Sequence, residues 1–353
     1  MATKPRIIVV GAGILGASIA FHLARQGAKV TVVAAGASAG QATPASFAWI
    51  NASWGNDPAY FELRMESMRR WRRLDQEVPG LGLTWGGSLT YDMPDEALDR
   101  YLEDFSARGY PVRRVSEAEI RTLEPRLGKP PRRAVLAEAE GAVEPVVAAR
   151  ELLRASGAEL LRSHVHGIDL SGNRVSSLMT EEGPLQADEV VLAAGTATPE
   201  LLATVGRQLE IDSPPGLLVH TNPLPRLIGR LIIAPEIHLR QKQDGRLVAG
   251  SDFGGSPIDR GPMTMAEELL GLVRNLLLGA DAVRLERYSV GYRPTPKDGL
   301  PVTGRVPGID GLYVAVMHSG ITNAPAIGAF AAEEILGGKR HPLVRPYGLD
   351  RFG

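Results

Sequence analysis

The sequence predicts an α/β protein: a discontinuous parallel-sheet domain with an interleaved antiparallel β-sheet domain as a second, α+β lobe. Three observations predict it. Residues 6–33 read as strand, glycine loop, helix and strand. Buried-type strand runs return near 190 and near 312, and the stretches between them alternate in the two-residue manner of antiparallel strands. At 353 residues the chain is long for one core, which agrees with two lobes. The expected boundaries are 1–81, 139–212 and 285–353 for the first domain, and 82–138 and 213–284 for the second.

In chain order, "RIIVV" has the β-branched character of a buried parallel strand. "GAGILG" follows with Gly11, Gly13 and Gly16, residues 14–26 carry Leu15, Ile19 and Leu23 on one helical face, Gly27 closes that helix, and "KVTVV" is the next strand. This is the Rossmann-like dinucleotide fingerprint. Gly11 makes the tight turn, Gly13 lets the backbone approach a pyrophosphate, and Gly16 lets helix and strand pack closely. The helix N-terminus offers unpaired N–H groups and a positive dipole end to the phosphates. Residues 60–77 read as a helix with Met68, Trp71 and Leu74 inward; Arg69, Arg70, Arg72 and Arg73 then form either a solvated face or an anion-binding patch. Helices are also expected at 94–108, 145–157 and 264–279, a hairpin with an Asp-Gly turn in "KQDGRLVAG", and a strand, glycine turn and helix in the tail.

Composition excludes several classes. Lys plus Arg is 39 against 40 for Asp plus Glu, which leaves no basic excess for a nucleic-acid backbone. There is no cysteine, so disulfides, thiolate metal sites, cysteine nucleophiles and thioether-linked cofactors are absent. His164 and His166 share a strand face as a metal pair could, but no third ligand lies nearby, and no metal is expected. The charged start and apolar run at the N-terminus imitate a signal peptide, yet the glycine spacing fits strand–loop–helix instead. No apolar run reaches the roughly 18 residues of a membrane span, and a cytoplasmic protein is expected. "MHSG" is not a nucleophile elbow of the GxSxG type.

Taken together, "VVGAGILGASIAFHLARQGAKVTVV", "GQATPASFAWINA", "EGAVEP", "ADEVVLAAGTATPEL", "YRPTPKDGLPVTG" and "GLYVAVMHSGITNAPAIG" resemble the D-amino-acid oxidase, glycine oxidase and sarcosine oxidase family of FAD-dependent oxidoreductases, over nearly the whole chain. The resemblance implies non-covalent FAD. It implies Gly11, Gly13, Ile14, Leu15 and Gly16 at the pyrophosphate and Thr43 at the phosphates or ribitol. Ala48, Trp49, Ile50 and Asn51 fall beside the isoalloxazine, Val165 at adenine, and Ala194 and Gly195 over the nucleotide. The loop Gly320, Ile321, Thr322 and Asn323 would offer N–H groups to flavin N1 and O2; Asn323 is equally a helix N-cap, with Pro325 in the first turn. Arg293 matches the arginine that grips the substrate carboxylate, a role suited to its planar fork, or else it is a surface turn residue. His238 and Arg240 share a strand face and either reach the substrate or lie outward; Tyr91 and Tyr292 are lesser candidates.

Three departures from the family stand out. Ala34, 23 residues after Gly11, replaces the acidic residue that usually holds the ribose diol. That removes a charge-assisted bond contributing about 1.5–3 kcal/mol. No covalent flavin anchor is evident. An apolar residue near Val248 stands where sarcosine oxidases carry an oxygen-activating lysine, so the acceptor is oxygen or a quinone or other acceptor. The reaction implied is oxidation of the C–N bond of an amino acid or secondary amine by hydride transfer to flavin N5, giving an imine that hydrolyses. The alternative is a flavin-poor or flavin-free binding or scaffold subunit of an oxidoreductase complex. An oligomer is compatible with either.

Overall fold

The computed structural model describes residues 5–36, 40–53, 56–251, 253–255 and 257–352. Its first sheet runs Val302–Arg305, Leu312–Val316, Glu189–Leu192, Ile7–Val10, Val30–Ala34, Glu159–Arg162. All neighbours are parallel except the edge pair made by Val302–Arg305. The sheet therefore gathers the start, middle and end of the chain, as the recurring strand runs predict. Both faces are covered, which is why the strands lack polar alternation. Ile7 and Val9 pack with Ile19, Leu23, Leu152 and Ile327 of the helices Ile14–Arg25, Pro145–Ser156 and Gly320–Gly337. Ile8 and Val10 pack instead with Val165, Ile168 and Leu178 of a three-stranded antiparallel layer. Each such side chain, fully buried, contributes roughly 1.5–3 kcal/mol.

The second sheet has eight strands: Leu285–Tyr292, Pro215–Thr221, Leu247–Gly250, His238–Gln241, Leu231–Ile233, Ser88–Thr90, Arg133–Ala137 and Val112–Ser116. It is antiparallel except where Leu231–Ile233 lies parallel to Ser88–Thr90, the seam at which two distant segments of chain meet. The helix Pro262–Leu276 buries Leu269, Leu270 and Val273 against it. The edge strand Leu285–Tyr292 lies just past residue 284, so the antiparallel sheet extends beyond the expected domain boundary. A short sheet of Trp49–Ile50, Gly141–Val143 and Leu83–Thr84 bridges the two larger ones.

Two glycines fix the loop after the first strand. Gly11 has φ +108°, and a Cβ there would lie 2.3 Å from the Ala193 carbonyl oxygen. A Cβ on Gly16 would lie 1.9 Å from the Gly11 carbonyl oxygen. The helix thus sits directly on the turn. The long helix Pro58–Glu77 starts where Asp57 accepts the Ala59 and Tyr60 N–H groups, with Pro58 in the first position, and it buries Met68, Trp71 and Leu74 as expected. Arg69 and Arg70 pair with Glu66, while Arg72 lies over Trp85, so these arginines have local partners.

Candidate active site

A cavity of about 930 Å³ opens at the C-terminal ends of the parallel strands, where Val10, Val33, Ala193 and Val316 reach its wall. That is where open α/β sheets bind ligands, and the size is at the upper end of the ~300–1,000 Å³ typical of ligand pockets.

One end is built of main chain. Gly11, Gly13, Ile14 and Leu15 line it, and Gly13 caps the helix without a side-chain bond. Thr43 is buried beside them, its hydroxyl accepting the Ile14 N–H at 3.1 Å. Ala34, Ala35 and Gly36 continue the wall, with Val165, Ala194 and Gly195 also on it. Gly16 stands behind the wall and acts through packing. Side chains at Gly11 or Gly16 would collide with backbone, and no acidic side chain occupies position 34. The cradle fits a pyrophosphate-bearing dinucleotide, with one contact fewer at the ribose.

The other end is built of side chains. Ala48 has φ +61°, alone in this among the described non-glycine residues, and its N–H is held by the Ser46 hydroxyl at 3.0 Å. Strained backbone of this kind concentrates at ligand sites. Trp49 lines the cavity, and its indole N–H donates to Glu140 at 2.8 Å. Glu140 is fully buried and also accepts from Ser53, Ser88 and Tyr110 at 3.1, 2.5 and 2.7 Å. Burial pushes its pKa above the usual carboxyl value, while the donors oppose the shift. Ile50 does not reach the cavity; it is turned into the core where its strand pairs with Gly141.

Arg293 lies in the wall with Nη1 donating to the Pro215 carbonyl at 3.0 Å. It is wedged between two glycines: a Cβ on Gly216 would lie 2.3 Å from Nη2, and one on Gly255 2.7 Å from Nη1. His238 also lines the cavity, its ring stacked on Phe253 at 4.1 Å and its Nε2 3.7 Å from Asp92. Arg240 is not brought to the wall. It is buried in an ion pair with Glu144 at 2.8 Å, so the shared strand face did not translate into a shared cavity. Tyr292 is in the wall; Tyr91 is not, and burial raises its pKa. Val248 packs behind the wall with Phe47, Trp49 and Leu218.

The C-terminal helix begins earlier than the sequence suggests. Gly320 is its first residue, so the expected loop is the first helical turn, and its Gly320, Ile321 and Thr322 line the cavity. Asn323 is neither a cap nor in the wall; its amide donates to the Tyr60 hydroxyl at 3.0 Å. Pro325 consequently falls inside the helix, where it cannot donate to the Ile321 carbonyl. The Trp71 indole N–H fills that vacancy at 3.0 Å.

Two further wall residues were not assigned from sequence. Arg64 is buried on the long helix, with Met68 at i+4 and Trp71 at i+7 from it; its place on that apolar stripe is the available signal. His318 borders the open cavity, yet the protein around it, with Arg293 and Arg64 nearby, pushes its pKa down to about 4. It is neutral at neutral pH, with Nε2 3.2 Å from the Phe253 carbonyl and Nδ1 3.3 Å from the Ser319 hydroxyl. The His164 and His166 rings are 4.7 Å apart, and no group of three or more potential metal ligands occurs among the described residues. No helix among them is long and apolar enough to cross a membrane.

A parallel-sheet glycine-loop cradle thus shares one cavity with a buried arginine, aromatic rings and the first turn of the C-terminal helix, an arrangement suited to a nucleotide-dependent oxidoreductase. The family described as "DAO: FAD dependent oxidoreductase" matches residues 6–334, and the chain belongs to it. FAD is its cofactor. The chain is 30% identical to a glycine oxidase of Pseudomonas aeruginosa over 363 residues, covering 97% of each. An iminodiacetate oxidase from Chelativorans sp. BNC1 is 27% identical, with a TM-score of 0.85 over 97% of this chain and 98% of that one. An L-proline dehydrogenase from P. horikoshii has the same fold, with a TM-score of 0.87 at 23% identity over 100% and 98% of the two chains.

Proposed function

We propose that this protein oxidises the C–N bond of an amino acid or secondary amine that carries a carboxylate beside the reacting carbon. The observation that carries the reading is Arg293, packed between Gly216 and Gly255 in the wall of the cavity that contains the glycine-loop cradle. A guanidinium so confined holds a carboxylate in one orientation and fixes the α-carbon, which orients the reaction without a general base. FAD, held non-covalently, supplies the two-electron acceptor that takes the α-hydrogen as hydride at N5. The amine enters uncharged, its nitrogen lone pair forms the C=N bond, and water hydrolyses the imine to the carbonyl compound and the free amine.

His318, its pKa lowered to about 4, places no second cation beside the amine at neutral pH. His238 and Phe253 face the substrate's side chain as a stacked plane. The terminal electron acceptor would be oxygen, a quinone or another acceptor; Val248 provides no cation for oxygen activation, which favours an acceptor other than oxygen. The first sheet with its covering layers serves as the cofactor lobe, and the eight-stranded sheet as the substrate lobe.

The test is a visible absorption spectrum of the purified protein before and after incubation with FAD, followed by anaerobic addition of glycine, proline, sarcosine, iminodiacetate and D- and L-amino acids. Bleaching by one of them, lost in Arg293→Met, supports the reading. Bound FAD that no carboxylate-bearing amine bleaches removes it.

A further inference from the structure

Arg64 is a buried cation with no anion beside it among the described residues. The residue is 6% exposed, and its three hydrogen bonds all go to neutral groups: Nε to the Asn51 carbonyl at 2.9 Å, Nη2 to the Asn51 side-chain oxygen at 2.7 Å, and Nη1 to the Ser319 hydroxyl at 2.7 Å. The Tyr60 ring lies 5.4 Å from the guanidinium carbon. Arg64 makes no ion pair with any described residue, although Glu140, a carboxylate equally buried near this end, is fully engaged by Trp49, Ser53, Ser88 and Tyr110. A guanidinium does not shed its proton, and burying one without a counter-charge costs several kcal/mol by order of magnitude. Such a charge is retained where an anion arrives.

Its surroundings say which anion. Arg64 borders the cavity and is tied to Ser319, the residue directly before the C-terminal helix. The first-turn residues Gly320, Ile321 and Thr322 line the same corner, and their amide dipoles are positive toward it. His318 beside them is neutral. The corner therefore presents one full positive charge reinforced by a helix end, and no negative group answers it from the described residues.

We propose that Arg64 is the fixed counter-charge for the negative charge that the cofactor's ring system acquires when it takes hydride from the substrate. This rests on the functional reading above, with the cofactor ring at the Arg64 end of the cavity. The balance is simple: the substrate C–H bond breaks, hydride adds to a neutral ring, and the ring becomes a monoanion while the substrate becomes an iminium. With Arg64 in place the ring needs no further proton. Arg64 thereby makes the bound cofactor a stronger oxidant, and Asn51 and Ser319 position it.

The experiment uses the FAD-loaded protein, with retention of FAD by the wild type established first, since its failure removes the functional reading and not this assignment. Sulfite, which adds to the oxidised ring and leaves it negatively charged without any substrate, is titrated by absorbance; the two-electron midpoint potential is measured alongside. Arg64→Met is expected to raise the sulfite Kd at least tenfold and to lower the potential by about 30 mV for each tenfold, with Arg64→Lys between the two. Unchanged sulfite Kd and potential with a tenfold higher KM for the amine would instead make Arg64 a substrate-carboxylate group and overturn the proposal. Unchanged values with only a lower Tm would overturn it as well. If Arg64→Met does not fold, Arg64→Gln is measured in the same way, and an unchanged sulfite Kd and potential in that variant overturns the assignment.

Discussion

At the Gly11 end of the cavity the wall is main chain, held open by glycines that leave no room for Cβ atoms. At the Arg64 end it is side chain, held by buried charges and rings. The first end offers shape and N–H groups, so loss of one side chain, as at Ala34, should weaken its grip rather than abolish it. The second end presents a few fixed charges, and a separate task is proposed for each. Errors in backbone geometry should therefore abolish binding, and errors in side chains should alter chemistry while binding persists.

The largest effect should come from Gly11→Ala. The left-handed backbone alone costs about 1–2 kcal/mol, and the collision with the Ala193 carbonyl adds to it. The purified variant is expected to retain almost no flavin absorbance and to show a lower Tm; normal flavin content would break the contrast. Glu140→Ala should come next. It leaves four buried donors around Trp49 without their acceptor, at about 1–3 kcal/mol for each that finds no other. Calorimetry should show a large drop in Tm, and Glu140→Gln a smaller one because an acceptor oxygen remains.

Arg293→Met is expected to raise the substrate KM tenfold to hundredfold, the equivalent of about 1.5–3 kcal/mol, with FAD content unchanged. Arg293→Lys should recover only part, since a point charge cannot reproduce the fork. Steady-state kinetics beside flavin absorbance separates these from a folding defect. Ala34→Glu tests the opposite end in the gaining direction: FAD should bind up to about tenfold to hundredfold more tightly by fluorescence titration, with the same reaction rate at saturation.

The mildest effect is on acid stability. Burial, aided by nearby arginines, holds His22 and His220 down to about 4 from an ordinary value of 6.5. Above pH 6.5 they are neutral whether the chain is folded or not. As pH falls from 6.5 toward 4 the unfolded chain takes up protons that the folded one refuses, so stability falls over that window. Tm measured from pH 7 to 4 should decline, and His220→Gln should flatten the decline by its share.

The contrast also explains what was legible in the sequence. Strand runs and glycine spacing are local and repeat with a fixed period, so the parallel sheet, its main helices and the Gly11 cradle could be read directly. The start of the last helix could not, because Pro325 suggested a first turn whereas the Trp71 indole, remote in sequence, satisfies the carbonyl that the proline abandons. Strand period sets Arg240 on the face of His238, toward the substrate or outward, and cannot reveal that Glu144 from another segment captures it. Arg64 stands five residues before the run Arg69 to Arg73, and only its phase with Met68 and Trp71 marks it as buried.

Strand order in the first sheet has a consequence for how the protein is made. The first strand, Ile7–Val10, pairs with Glu189–Leu192, which in turn pairs with Leu312–Val316. Roughly 300 residues must leave the ribosome between the first and last of these, about 15–60 s at usual rates of synthesis. During that interval the glycine loop exists without the helix that completes the other end of the cavity. Nascent chains are then expected to carry an exposed strand edge and to need protection from chaperones, and the cofactor can be captured firmly only after the final helix docks.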